Sequence, residues 1–472
     1  MTPVNVPIEV QPPPTDWDLE IPLAIVGGGA TGLTAATAAG MCGVECVVFE
    51  RDSTPTGSTA MSYGSICAAG TKLQARSGLE DTTDALAEDI IAAVKGQTDP
   101  VHAHLLAQQS AITLDWFTED LGLDFSIEVN WKGFGHRIPR LHGTPNRKGD
   151  ELVAMLLNMS SDAGATLVGD AHVTTLYRAE NGLIEGMSYT SPEGTVTVGC
   201  KALILASSGF AGNPDLIAEH IPKLSSATYY GAEWHKGEAV RWGKSLGAAM
   251  ADMSSSQTLG NLAVPHNIVI PHTLVIDGGF TVNRDGKRFH NELVNISGQA
   301  QNVIEQPGHI GWIIYDQAGH DKASSLFAEY RSGLEVNAYR SAPDIPGLAA
   351  EIGVPSDALA ETFGLVAKSA ASGSAAAFGR SFDAGQELRA PYYAVKVTGA
   401  LFHTQGGLEI DEAARVRLAG GGVIPNLFAG GGCARSVSGP SDWGYLPGIG
   451  LSTAVSFGRL AGESAAALVK QN

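Results

Sequence analysis

Three glycines and one carboxylate, at a fixed spacing, carry the first chemistry in this chain. Gly27-x-Gly29-x-x-Gly32, with Ala30 and Thr31 between the last two glycines, is followed eighteen residues later by Glu50. A tight glycine turn lets backbone approach a pyrophosphate, the free N–H groups and dipole of the next helix hold the anion, and an acid at position 50 accepts a ribose hydroxyl. That acid also argues against a 2′-phosphate there. The plain alternative is a structural glycine turn. The fingerprint does not separate NAD from FAD. The segment Gly57-Ser58-Thr59-Ala60-Met61-Ser62-Tyr63-Gly64 is small, polar and glycine-bounded, which suits backbone passing along an isoalloxazine or ribityl chain, with a surface loop as the bland reading.

These residues need particular elements to position them. Ile21 to Val26 reads as a strand, Ala30 to Ala39 as a helix of small residues and Glu45 to Phe49 as a second strand, which makes a βαβ unit. Helical patterns run from Thr83 to Val94, Val101 to Asp120 and Asp150 to Asp162. Between the last two lies a stretch from Trp131 to Pro145, rich in Trp, Gly, Pro and His, with no evident packing role. Thr166 to Tyr177, Leu183 to Ser191 and Val196 to Gly199 read as an antiparallel meander, and Lys201 to Ser207 as a strand buried on both faces. From about Ser256 the segments turn irregular, followed by a strand at Trp312 to Tyr315 and alanine-rich helices to about Ala377. Tyr392 to Val397 and Asn426 to Ala429 resume strand character, and Gly450 to Ala467 closes the chain as a helix. The expected fold class is α/β, a discontinuous Rossmann-like domain interrupted by an inserted α+β unit.

Length and charge narrow the field. At 472 residues the chain has room for two or three structural units. Its 30 basic and 49 acidic residues give a net charge of −19, which repels phosphate backbones and anionic bilayers. No nucleic-acid partner and no membrane span are expected. The first twenty residues lack the basic start and apolar run of a signal peptide and read as an extended arm. Five cysteines without a C-x-x-C spacing fit neither a disulfide framework nor a zinc site, so no metal is expected and the location is taken as cytoplasmic.

Further blocks sharpen the reading. Ala206-Ser207-Ser208-Gly209-Phe210, the run from Val282 to Glu292, Tyr392-Tyr393-Ala394, His403-Thr404-Gln405-Gly406-Gly407-Leu408, Pro425 to Gly431 and Phe457 to Gly462 follow the fingerprint in order. Together with it they resemble the flavoprotein family of fumarate reductase and 3-ketosteroid dehydrogenase over nearly the whole chain. The resemblance implies FAD as cofactor, an FAD-binding domain in two stretches (1–255, with 1–20 the arm, and 387–472) and a cap over 256–386. It also implies flavin contacts at Gly27, Gly29, Ala30, Thr31, Gly32, Glu50, Arg51, Ser58, Thr59, Ser62, Tyr63, Gly64, Ser207, Gly209, Gly431, Gly448, Gly450, Leu451 and Ser452. The helix start near Gly448 to Thr453 is expected to aim N–H groups at the flavin pyrimidine edge.

Members of that family place substrate between cap and flavin and exchange a hydride across an activated C–C bond. The fumarate-reducing branch carries an arginine four residues after the Asn-Glu pair and a second near the C-terminal helix; this chain has Ile296 and Tyr445 at those places. Only His403 of that set is kept. Tyr445-Leu446-Pro447-Gly448-Ile449-Gly450 resembles instead the segment of the ketosteroid dehydrogenases in which a tyrosine hydroxyl and a glycine N–H hold the substrate ketone. The resemblance therefore implies a desaturase that forms a C=C bond beside a ketone, a cyclic one of the 3-ketosteroid or cyclohexanone type, such as 4-oxocyclohexanecarboxylate. Tyr445, Gly448, Gly450 and His403 are the expected substrate contacts. Arg140, in the odd loop with Arg137 and Arg147, is a candidate for a substrate carboxylate. Candidates for the proton acceptor are His403, His142, His290 and Tyr63. Competing readings are an ene reductase of the same fold, an NAD-linked dehydrogenase and a non-catalytic flavin-containing binding protein. No C-x-x-C-H haem motif is present, so an external electron acceptor is expected.

Overall fold

The computed structural model describes residues 7–471; the first six residues of the expected arm lie outside them. Two compact units emerge: residues 1–221, 231–256 and 403–472 form one, and residues 222–230 and 257–402 the other.

The first unit is built on a nine-stranded sheet. Its centre is parallel: Thr166–Val168, Cys46–Phe49, Leu19–Val26, Gly194–Leu205 and Val423–Ala429 lie side by side in that order. Cys46–Phe49 is buried throughout, as are Leu23 to Val26 and Ala202 to Leu205, the mark of a sheet covered on both faces. Thr166–Val168, expected within a meander, is instead the parallel edge beside Cys46–Phe49. Val196–Gly199 and Lys201–Leu205, expected as two segments, form one strand, because its first half pairs with Ile184–Ser191 and its second half with Leu19–Val26 and Val423–Ala429. Part of the arm is stitched to the sheet: Glu9–Gln11 pairs with Thr175–Tyr177, and Trp17 fills the space that side chains at Gly186 and Gly199 would need.

The helix Ala30–Met41 buries every residue from Ala30 to Ala39, so it has no solvent face and needs small side chains. The C-terminal helix Ile449–Gln471 explains why. A Cβ at Gly458 would stand 2.5 Å from the Thr31 carbonyl oxygen, and one at Gly462 2.3 Å from that of Ala35. Glycines at this seam let the two backbones touch.

The second unit has its own seven-stranded sheet, in which Tyr392–Thr404 is flanked by Gly311–Asp316, Tyr339–Ala342 and Ser256–Ala263. Ser256–Ala263 is thus a strand, not irregular chain. Because Tyr392–Thr404 hydrogen-bonds along this sheet, the unit runs to Phe402 rather than to 386. Alternate residues face opposite sides: Trp312 and Ile314 pack with Leu359 and Phe363 of the helix Ser356–Ser372, whereas Ile313 and Tyr315 pack with Tyr330 and Val395. The Arg288–Glu292 block is structural here. Burial alone would raise the Glu292 pKa, but Arg288 at 2.6 Å and Arg380 at 2.9 Å outweigh it and hold the carboxyl at about 2. No helix among the described residues is long and apolar enough to cross a membrane.

Candidate active site

The fingerprint turn sits where the parallel strands end. Gly27 has φ +106°, and a Cβ there would stand 2.5 Å from the Ala206 carbonyl oxygen; a Cβ at Gly32 would lie 1.9 Å from the Gly27 oxygen. Glu50 Oε2 accepts from Gly28 N–H at 2.6 Å, and its Oε1 from Asp52 N–H at 3.1 Å. The carboxylate is thereby held beside the turn, where a ribose would meet it.

Blocks far apart in sequence converge on this turn. Gly209 lies so close to Thr404 and Gly432, and Gly431 to Thr31, that a Cβ at either would stand 2.2 Å from a threonine hydroxyl oxygen. Thr59 Oγ1 accepts from Ala30 N–H at 3.0 Å at the helix start, and Ser62 Oγ ties its own loop by donating to the Thr59 carbonyl oxygen at 2.7 Å. Ser207 Oγ is shielded from solvent and has no protein partner. A glycine-lined cradle at a helix N-terminus, an acid at the ribose position and an orphaned hydroxyl beside them fit a bound dinucleotide such as FAD.

Other expected contacts have work within the protein. Arg51 pairs with Glu238 at 2.5 Å and lies 5.6 Å from the Trp234 ring centroid. Ser452 Oγ donates to the Cys67 carbonyl oxygen at 2.6 Å, while Leu451 packs against an apolar cluster. Gly448, at φ +82°, leaves no room for a Cβ between Leu141 and Cys67. Ser58 Oγ lies 3.5 Å from Nδ1 of His235, a residue that sequence reasoning did not single out. Tyr63 is 57% exposed, and Gly64 lies against the Lys148 backbone.

Tyr445, His403 and Gly450 come together. The two rings meet edge to face with centroids 5.6 Å apart. A methyl carbon at Gly450 would stand 3.3 Å from Tyr445 Oη and 3.5 and 3.7 Å from His403 Cε1 and Nε2, so the phenol oxygen and the Cε1–Nε2 edge of the imidazole border one spot above that glycine. Burial pushes the phenol pKa up to about 12, against the opposing pull of the Gly450 N–H. Burial holds the imidazole at about 4. Both groups are uncharged near neutral pH.

The loop Trp131–Pro145 has the packing role that its sequence hides. His136 Nε2 lies 3.0 Å from the Pro447 carbonyl oxygen, and Gly135 sits under Leu446, so the loop backs the Tyr445 segment. Arg140 is corrected: it does not face a substrate. Its Nε and Nη2 hold Asp81 at 2.6 and 3.0 Å and its Nη1 holds Asp89 at 2.6 Å, with the guanidinium almost fully buried. Arg140→Met should lower the unfolding free energy by roughly 3 kcal/mol, because it strands the buried Asp81 carboxylate and leaves Asp89 with Arg137 as its one remaining cation. Chemical denaturation measures this, and an unchanged midpoint would show that the pair carries no stability. His142 is likewise occupied. Its Nε2 lies 2.8 Å from Thr71 Oγ1, its Nδ1 3.0 Å from the Arg140 carbonyl oxygen, and burial keeps its pKa at about 4. His290 belongs to the second unit, buried beside Phe289 and Glu292.

A family model described as FAD binding domain matches residues 23–451. The chain is 29% identical over 445 residues to a probable fumarate reductase of Shewanella frigidimarina, which covers 94% of this chain and 74% of that protein. It is 24% identical to a 4-oxocyclohexanecarboxylate 2-dehydrogenase of Sinomonas cyclohexanicum, over 94% of this chain and 92% of that one. A flavocytochrome c3 fumarate reductase superposes with a TM-score of 0.82 at 28% identity, covering 96% of this chain and 79% of that one. A 3-ketosteroid Δ4-(5α)-dehydrogenase of Rhodococcus jostii does so with a TM-score of 0.78 at 26% identity, over 96% and 98%.

Proposed function

Because the chain belongs to the FAD-binding domain family and is an FAD-dependent oxidoreductase acting on C–C bonds, we propose that it is a dehydrogenase that introduces a C=C bond α,β to a ketone, a cyclic one of the 3-ketosteroid or 4-oxocyclohexanecarboxylate type. One observation carries this reading: the uncharged Tyr445 hydroxyl and the Cε1–Nε2 edge of an uncharged His403 border one point over Gly450. A neutral carbonyl suits such a site better than a carboxylate, which calls for a cation. Ile296 and Tyr445, at the two positions where the fumarate-reducing branch carries arginine, support the same choice.

In this reading the ketone oxygen takes hydrogen bonds from Tyr445 and from the Gly450 N–H, and charge that develops as the α-proton leaves is stabilised there. FAD, when bound, supplies the acceptor for the hydride from the β-carbon. Gly27, Gly29, Ala30, Thr31 and Gly32 would hold its pyrophosphate and Glu50 its ribose, with Ser207, Gly209 and Gly431 at the same cradle, and an external acceptor would be needed to take up the electrons. The first unit is the FAD-binding domain and the second the cap. Five free cysteines are in keeping with a cytoplasmic setting.

An ene reductase working in the opposite direction is the second reading, favoured by the fumarate reductases among the relatives, at 29% and 27% identity. Anaerobic mixing separates the two. A saturated 3-ketosteroid or 4-oxocyclohexanecarboxylate should bleach the oxidised flavin bands within the mixing experiment. If neither does, while the matching enones rapidly reoxidise photoreduced enzyme, the reductase reading replaces it.

A further inference from the structure

We propose that Gln405, hydrogen-bonded to Ser438, is a positioning residue that sets the tautomer of His403, so that the imidazole offers Nε2–H to the substrate oxygen and does not take the α-proton. This deepens the reading of the site given above and rests on it.

The chain of contacts has a direction. The Gln405 amide faces Ser438 with Oε1, which accepts from Ser438 Oγ at 3.2 Å, and faces the imidazole with Nε2, which donates to His403 Nδ1 at 2.7 Å. A ring nitrogen that accepts an amide hydrogen carries no proton of its own, so the neutral imidazole bears its hydrogen on Nε2. That is the nitrogen facing the spot above Gly450. The relay has little freedom to rearrange. Gln405 is 5% exposed and Ser438 2%. The Gln405 backbone is tied at both ends, its N–H to the Ser255 carbonyl oxygen at 2.9 Å and its own oxygen to Ser436 N–H at 2.8 Å. The next residue, Gly406, has no space for a Cβ beside the Asp252 carbonyl oxygen. Protonating Nδ1 would set two donors against each other, a cost that adds to the burial holding the ring neutral, which outweighs the opposing hydrogen bond to the Thr404 backbone.

The consequence is a division of labour. With His403 Nε2–H added to Tyr445 O–H and the Gly450 N–H, the oxygen meets neutral donors throughout, and the proton acceptor is a different group. The titratable groups facing His403 are Tyr445 and His235; burial first, and then the neighbouring His403 ring, keeps the latter at about 4.

Gln405→Glu tests this, because a carboxylate draws the hydrogen to Nδ1 and leaves Nε2 as an acceptor. In the 15N-histidine-labelled, FAD-loaded protein, two-bond 1H–15N correlations of His403 should show the Nε2–H form in the wild type and the Nδ1–H form in Gln405→Glu. Flavin reduction at pH 7 by 4-oxocyclohexanecarboxylate or a saturated 3-ketosteroid should fall about tenfold in the variant, and its pH profile should gain an ionisation between about pH 5 and 8. Gln405→Met, of similar volume, should slow reduction without adding an ionisation. An Nδ1–H wild-type ring overturns the proposal, and so does a Gln405→Glu variant whose tautomer, rate and pH profile match the wild type. The tautomer is read without substrate, so failure of both ketones to bleach the flavin counts against the proposed reaction alone.

Discussion

Tyr445→Phe should slow flavin reduction by a saturated ring ketone at least tenfold, and by as much as about a hundredfold, while FAD stays bound. The range follows from removing one preorganised donor from a developing oxyanion, a loss typically of about 10²–10³ in rate, softened here because the Gly450 N–H and the His403 edge remain. Phenylalanine keeps the edge-to-face contact with His403, so the change deletes one oxygen without opening a cavity. The cradle residues from Gly27 to Gly32 lie elsewhere in the unit, and the ratio of flavin to protein absorbance should not move. Stopped-flow bleaching with a saturated 3-ketosteroid or 4-oxocyclohexanecarboxylate reads the rate. Unchanged kinetics would remove Tyr445 from the reaction. The buried phenol titrates near 12, so the wild-type rate should show no limb from this group below about pH 11.

Gly32→Ala should yield a protein that binds little or no FAD. The added methyl would stand 1.9 Å from the Gly27 carbonyl oxygen and 3.3 Å from Ile25 Cγ2, and backbone cannot yield there without opening the turn that receives the pyrophosphate. Gly364→Ala is the matched control: it lies within the helix Ser356–Ser372, with nothing within 4 Å of the added carbon, and alanine there should leave stability equal or raised by up to about 1 kcal/mol. The measurement is flavin absorbance per protein after purification, alongside thermal melts of both variants. A Gly32→Ala protein as yellow as the wild type would show that the turn tolerates displacement and that the cradle is misplaced.

The correction at Arg140 shows where sequence reasoning stops. An arginine in a polar loop looks available, and its partners Asp81 and Asp89 lie 59 and 51 residues earlier. Nothing local announces that three buried charges will meet. His142 is similar, since one of its contacts is Thr71. Gln405 stood inside a recognised block, yet its role depends on Ser438, 33 residues further on. The loop from Trp131 to Pro145 shows no packing role in sequence because the residues it supports, Leu446 and Pro447, come some three hundred positions later.

What the amino-acid order determined by itself is whatever depends on near neighbours: the glycine turn at Gly27 to Gly32, the acid at Glu50, the small-residue helices and the apolar strand at Ile21 to Val26, because φ restrictions and side-chain period act within a few residues. Tertiary structure alone decided which polar groups are spent and which remain for chemistry. A guanidinium or an imidazole is chemically the same group in either setting, and only desolvation and the partners that folding brings within about 3 Å make one a buried strut and another a donor at the substrate.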